Sequence, residues 1–313
     1  MDATAVSAAG ADGSADGTAG SPVTAVSADE PAAGSVLWQG AVNARDLGGE
    51  GGTVQPGRIY RMGRHEWVTE SGWRQAWEQG VRTVIDLRNP FELGRRASDP
   101  PVRQEVLDRF TVVNLPTEDQ SDEEFMALSG PYLNTPEHYR DNLTRWPEKF
   151  AGIARAFVSA PDGGVVIHCA AGRDRTGMVI ALLLSAAGVP HSVISDDYAR
   201  AVTAINERYR GQEVPHETPR SDQELAEWLD DAQGHLEELL STLDAAEFLL
   251  RGGLTEQELA ALRGRLTERQ RDPAGALHRT QALPALAETG LSSSRLVMRS
   301  VQIRWPASLV IST

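Results

Sequence analysis

The 313-residue sequence predicts a three-layer α/β domain in which a mostly parallel central sheet is flanked by helices. Three observations carry that expectation. Short runs rich in β-branched residues recur at Val81 to Leu87, Val112 to Pro116 and Val165 to His168, each bounded by turn or breaker residues. Segments with apolar residues at helical spacing separate and follow them. The last run passes through a glycine-containing polar turn into an apolar segment closed by Gly188 and Pro190, which reads as strand, loop and helix.

In chain order, residues 1–35 are rich in Ala, Gly, Ser and Asp and lack aromatic residues. Such a segment cannot offset its ordering entropy by burial and is expected to be a disordered tail. Order is expected from Val36-Leu37-Trp38. Asn43 to Gly49 reads as turn-rich, because Asn, Asp and Gly adopt backbone conformations other residues resist. Arg58 to Arg61 is a short strand candidate, and the region up to Gly80 has helical spacing, with Trp67, Trp73 and Trp77 as packing residues. Asp86 ends the strand Val81 to Leu87. Ligands of parallel sheets bind beyond the carboxyl ends of strands, so Asp86 is a candidate proton donor, with an ion pair to Arg88 as the alternative. Asn89-Pro90 closes that strand, and Phe91-Glu92 opens a helix or turn. The strand Val112 to Pro116 leads into an acidic loop with Glu118, Asp119, Asp122, Glu123 and Glu124. Trp146-Pro147-Glu148 reads as a helix start.

The chemistry is concentrated at Val165 to Gly188. Cys169, the single cysteine, stands at the strand end, with Arg175 six positions on and Thr176 and Gly177 directly after it. Such a loop can turn successive N–H groups inward, and the following helix adds the positive end of its dipole, so an anion fits there. The helix N-terminus and a nearby guanidinium favour a thiolate over a thiol. A thiolate below a bound phosphate is placed for in-line attack on phosphorus, Arg175 can hold two equatorial oxygens, and the Thr176 hydroxyl can donate to the leaving sulfur. The alternative for Cys169 is a buried small hydrophobe. Coincidence is a poor explanation, since His, Cys, Gly, Arg and Gly fall at these spacings by chance with a probability on the order of 10⁻⁵. His168 is expected to be a hydrogen-bonded structural residue beneath the loop.

The string from His168 to Gly177, HCAAGRDRTG, resembles the phosphate-binding loop of cysteine-dependent tyrosine and dual-specificity phosphatases. Asn43-Ala44-Arg45-Asp46-Leu47-Gly48-Gly49 and Val84-Ile85-Asp86-Leu87-Arg88 narrow the resemblance to the bacterial atypical tyrosine phosphatase family, from about Leu37 to about Leu266. The resemblance implies a phosphatase domain at residues 36–268. It implies Cys169 as nucleophile and Ala170, Ala171, Gly172, Arg173, Asp174, Arg175 and Thr176 as the phosphate cradle. Arg45 and Asp46 would orient the loop, or form a plain surface pair. The familiar Trp-Pro-Asp acid loop is absent from the sequence, so Asp86 and Asp174 compete as general acid. Asp174 could instead brace the loop by accepting hydrogen bonds. Arg173 stands where the family usually has a lysine that accompanies activity on phosphoinositides; the charge survives and the fine specificity is in doubt. Phosphotyrosine proteins are the leading substrate class, with phosphoserine, phosphothreonine or phosphoinositides beside it. No metal or other cofactor is expected, because N–H groups and Arg175 supply the charge stabilisation. In the family, helical elements form a lid over the active site.

After Pro190 the chain reads as helical to Gly253, with capping boxes at Ser221 to Glu224 and Thr255 to Glu258. From about Arg269 periodicity is lost, and residues 269–313 read as a tail of unknown role. A formal charge of −14 argues against nucleic acid as a partner. There is no apolar run of membrane length. The acidic N-terminus lacks the basic and apolar regions of a secretory signal, so a cytoplasmic location is expected, with export by another route left open. A lone cysteine fits a reducing compartment and argues against a redox or arsenate-reducing enzyme, which needs further cysteines. A pseudophosphatase that binds phosphoproteins without turnover is the alternative reading.

Overall fold

The computed structural model describes residues 34, 36–49, 52–129, 135–213 and 215–268. Apart from Gly34, the tails expected at 1–35 and 269–313 lie outside them. Five strands, β1 (Arg45–Asp46), β2 (Ile59–Met62), β3 (Val81–Asp86), β4 (Thr111–Asn114) and β5 (Gly164–His168), form one sheet in the order β1-β2-β5-β3-β4. Only the edge strand β1 is antiparallel, to β2. The other neighbours are parallel, with Met62 and Asp86 both in register with His168. The carboxyl ends of β2, β3 and β5 therefore meet where the loop after β5 begins, and crossover topology puts the site there.

The strands alternate between two cores, as period-two geometry requires. Ile59, Ile85, Val165 and Ile167 face one, and Tyr60, Met62, Val84 and Val166 face the other. The described helices are α1 (Glu70–Glu78), α2 (Gln104–Leu107), α3 (Glu123–Ser129), α4 (Tyr139–Arg145), α5 (Pro147–Ser159), α6 (Asp174–Ala186), α7 (His191–Arg210), α8 (Asp222–Thr242), α9 (Ala245–Arg251) and α10 (Glu256–Thr267). Helices α4 to α10 supply most of the first core, and α1, α2, Trp38 and Phe110 close the second. Three layers result, as the alternation of strands and helices predicts.

Local signals set the helix limits. Pro147 opens α5 at its first position, where the missing N–H costs nothing. Ser221 and Thr255 form the expected capping boxes. Helix α6 is buried at nearly every position, which explains its apolar run from Met178 to Leu184. The expected helical run from Pro190 to Gly253 is interrupted. Gly211 ends α7, and Pro215 and Pro219 keep 215–220 out of helix until Ser221 caps α8. Among the described residues no helix is long and apolar enough to cross a membrane.

Candidate active site

The loop after β5 is shaped from its outer side. Five consecutive carbonyls have donors there: Cys169 O from His168 Nδ1, Ala170 O from Arg64 N, Ala171 O and Gly172 O from Asn43 Nδ2, and Gly172 O and Arg173 O from Arg61 Nη2. With the carbonyls held outward, the peptide N–H groups turn to the opposite side, the concave arrangement that binds anions. Gly172 makes the turn at φ +70, and a Cβ there would lie 2.0 Å from Met62 O. Cys169 is buried at the base, and α6 begins at Asp174, so its N-terminal dipole faces the same space.

Arg61 is fully buried and pairs with Asp197 on α7. Arg45 joins the same carboxylate, with Nη2 at 2.7 Å from Oδ1 and Nε at 3.0 Å. Its Nη1 donates to Asn43 Oδ1 at 2.6 Å. Burial alone would raise the Asp197 carboxyl, but Arg61 and Arg45 hold it below the ordinary aspartate value. Arg45 thus reaches the loop through Asn43. Asn43 takes the left-handed conformation, φ 55, that the turn-rich motif predicts. Asp46 does otherwise: its oxygens accept the N–H groups of Gly48 and Gly57, so it stabilises its own turn and does not orient the loop.

Asp86 takes the structural alternative. Arg88 donates to both its oxygens, at 3.0 Å and 2.7 Å. Burial would raise its carboxyl, yet the charge and hydrogen bonds of Arg88 keep it below the ordinary value. Asp86 lies with Arg88, His65 and His168 on the carbonyl side of the loop, opposite the cradle, so its position removes it from the role of proton donor. His168 lies beneath the loop as a fully buried side chain hydrogen-bonded to Cys169 O. Its burial favours neutral imidazole. The carbonyl of Cys169 can only accept, so Nδ1 carries the proton and Nε2 faces His65 Nδ1 at 3.1 Å. His65, Asp86 and His168 bring three potential metal ligands within 4.8 Å of one another. Arg88 already supplies the cation in that cluster, with Glu66 at 2.9 Å as its second partner.

Asp174 lies at the loop, its Oδ2 2.7 Å from Arg173 Nε and its Oδ1 2.9 Å from the Tyr198 hydroxyl, with the Tyr139 hydroxyl at 3.4 Å. Arg175, in the first turn of α6, is clamped end-on by Glu92, with contacts of 2.5 Å and 2.8 Å. Burial would lower its basicity, but Glu92, Cys169 and Glu118 hold it fully charged. A guanidinium has five N–H donors and Glu92 takes two, which leaves donors for a phosphate. Thr176 is buried, and its hydroxyl has no hydrogen-bond partner among the described residues. The residues that sequence reasoning missed are Arg61, Asp197, Glu92, Tyr139, Tyr198 and Glu217. The one local signal was Arg61, a cation inside a strand otherwise apolar at both faces.

The chain matches the family model described as the tyrosine phosphatase family over residues 36–268. It is 32% identical over 170 residues to a Cupriavidus necator protein bearing a tyrosine-protein phosphatase name, a match covering 50% of this chain and 59% of that one. It is 31% identical over 216 residues to the triple specificity protein phosphatase PtpB of Mycobacterium tuberculosis, covering 60% of this chain and 76% of that one. A crystal structure of Pseudomonas aeruginosa TpbA overlaps 67% of this chain and 91% of its own at a TM-score of 0.31 and 16% identity, too low a likeness to carry an argument.

Proposed function

Because the chain belongs to the tyrosine phosphatase family, we propose that it hydrolyses phosphomonoesters, foremost phosphotyrosine in proteins, through a cysteinyl-phosphate intermediate. The observation that carries this reading is the row of outward-held carbonyls from Cys169 to Arg173, which leaves an anion cradle between a buried cysteine and a charged arginine. In the first step the Cys169 thiolate attacks phosphorus as the ester P–O bond breaks, and the leaving oxygen takes a proton. In the second, water attacks phosphorus, the S–P bond breaks, and orthophosphate and the thiolate are released. Arg175 and the loop N–H groups stabilise the transferring phosphoryl group in both. Asp174 is the proton donor in this reading, supported by its place at the loop and by the loss of Asp86 as a competitor. The unpartnered Thr176 hydroxyl supports its donation to the departing sulfur.

Phosphotyrosine is favoured by Phe91, which is 68% exposed and directly precedes the Glu92 that clamps Arg175. In this reading an exposed aromatic ring next in sequence to the residue that clamps Arg175 is available to a phenolic substrate. The test is hydrolysis of para-nitrophenyl phosphate by wild type and Cys169→Ser, with EDTA present and vanadate as inhibitor. Metal-independent, vanadate-sensitive turnover that vanishes in the variant is expected. A folded, reduced wild type without turnover that still binds phosphopeptides would overturn the enzymatic reading in favour of a binding module.

A further inference from the structure

Arg173, at the end of the loop before α6, has its fork filled. Its Nη1 and Nη2 each lie 3.0 Å from an oxygen of Glu217, and its Nε donates to Asp174. Glu217 belongs to the non-helical segment between α7 and α8, far from the loop in sequence and over it in space. The paired geometry is that of a guanidinium with a carboxylate or a phosphate. With Glu217 paired to both ends of its fork, the charge of Arg173 is already compensated by a carboxylate. A second phosphate held beside the one being removed would meet repulsion there in place of attraction.

We propose that Glu217 is a specificity-determining residue, which occupies the Arg173 fork and thereby selects against substrates carrying a second phosphate next to the scissile one. The proposal rests on the phosphatase reading and deepens it. Glu217 does not owe its position to Arg173 alone. Asn206 accepts the N–H of Arg220 and donates to its carbonyl, and the Arg220 guanidinium lies 4.6 Å from the Trp228 ring, so the segment is anchored independently. Removing the charge of Glu217 therefore leaves the segment attached while freeing Arg173 to meet an anion.

The test is ligand binding in the Cys169→Ser background, where no turnover is read. Dissociation constants for myo-inositol 4,5-bisphosphate and phenyl phosphate are measured by calorimetry with and without Glu217→Gln. The substitution is expected to tighten the bisphosphate about tenfold, and phenyl phosphate less than about twofold, as loss of one neighbouring unit charge requires. Adding Arg173→Ala is expected to cancel the gain. Equal tightening of both ligands, no tightening of the bisphosphate, or a gain that survives Arg173→Ala would each overturn the proposal. A wild type that binds these ligands but does not hydrolyse phosphate esters would count against the phosphatase reading alone.

Discussion

Replacing Asp197 by asparagine tests whether the loop depends on charge buried behind it. Asp197 is the shared partner of Arg45 and Arg61, and all three side chains are nearly inaccessible to solvent. Asparagine keeps the shape but presents an amide with no charge, and its Nδ2 opposes a guanidinium donor. Two buried cations then lack a counterion, and breaking a buried pair in this way costs about 3–5 kcal/mol. For a domain of this size that is a fall in Tm of roughly 6–20 °C. Arg61 also loses its anchor on the carbonyls of Gly172 and Arg173. Turnover of para-nitrophenyl phosphate is therefore expected to fall about tenfold or more, with kcat affected beyond KM.

The pH dependence distinguishes the causes. The folded Asp197 is held below its ordinary value of 3.8, so its contribution is fully present above that pH and is lost below it as the folded group protonates. His65 is pushed by burial from 6.5 down to about 3, so the unfolded chain binds its proton first, and stability is lost between those values as pH falls. Wild type is thus expected to lose stability from about pH 6.5 downward, while the gap between wild type and Asp197→Asn stays constant to about pH 4 and shrinks below it. Thermal or urea unfolding across this range measures both. A cost under about 1 kcal/mol at pH 7, the range of an exposed pair, would refute the reasoning.

Asp174→Asn is expected to flatten the alkaline limb of kcat/KM on phenyl phosphate, whose leaving group needs a proton, while Asp86→Asn lowers stability and leaves the limb in place; rate profiles and unfolding of the two variants check this. Gly172→Ala forces a Cβ against Met62 O in a left-handed backbone, and should lower kcat at least about tenfold with a measurable fall in Tm, by steady-state kinetics and calorimetry. Glu92→Gln removes the charge of the clamp on Arg175 and should weaken vanadate inhibition and kcat/KM together by about tenfold; unchanged vanadate affinity would refute the orienting role.

The parts of the site that are close in sequence were legible. Cys169 and Arg175 sit on one strand, loop and helix, and the β-branched run, the glycine and the apolar helix are each local signals of that unit. The strands Val81 to Leu87 and Arg58 to Arg61 were legible for the same reason, with limits off by one residue. The partners were not. Glu92 meets Arg175 from 83 positions away, Glu217 meets Arg173 from 44, and Asp197 meets Arg45 from 152. A carboxylate on a helix or a turn reads as a solvated surface group, and only the crossover topology turns it inward. Asp86 failed as an acid for a related reason. Its strand-end position was read correctly, but the direction of its side chain depends on Arg88 and on two histidines brought in from β5 and the turn after β2.

The same distant carboxylates also explain why so acidic a chain can bind an anion at all. Every loop arginine is matched: Arg175 by Glu92, Arg173 by Glu217 and Asp174, and the supporting Arg61 by Asp197. Without an anion the cations are thereby kept charged, buried and fixed in direction, which a desolvated arginine alone could not be. The attraction for phosphate then comes from the N–H groups and the remaining guanidinium donors at short range, and little of it from the field of the whole protein, which is repulsive. Such a site discriminates by fit and hydrogen-bond count more than by charge, and that is the physical ground of the proposed selection against a second phosphate.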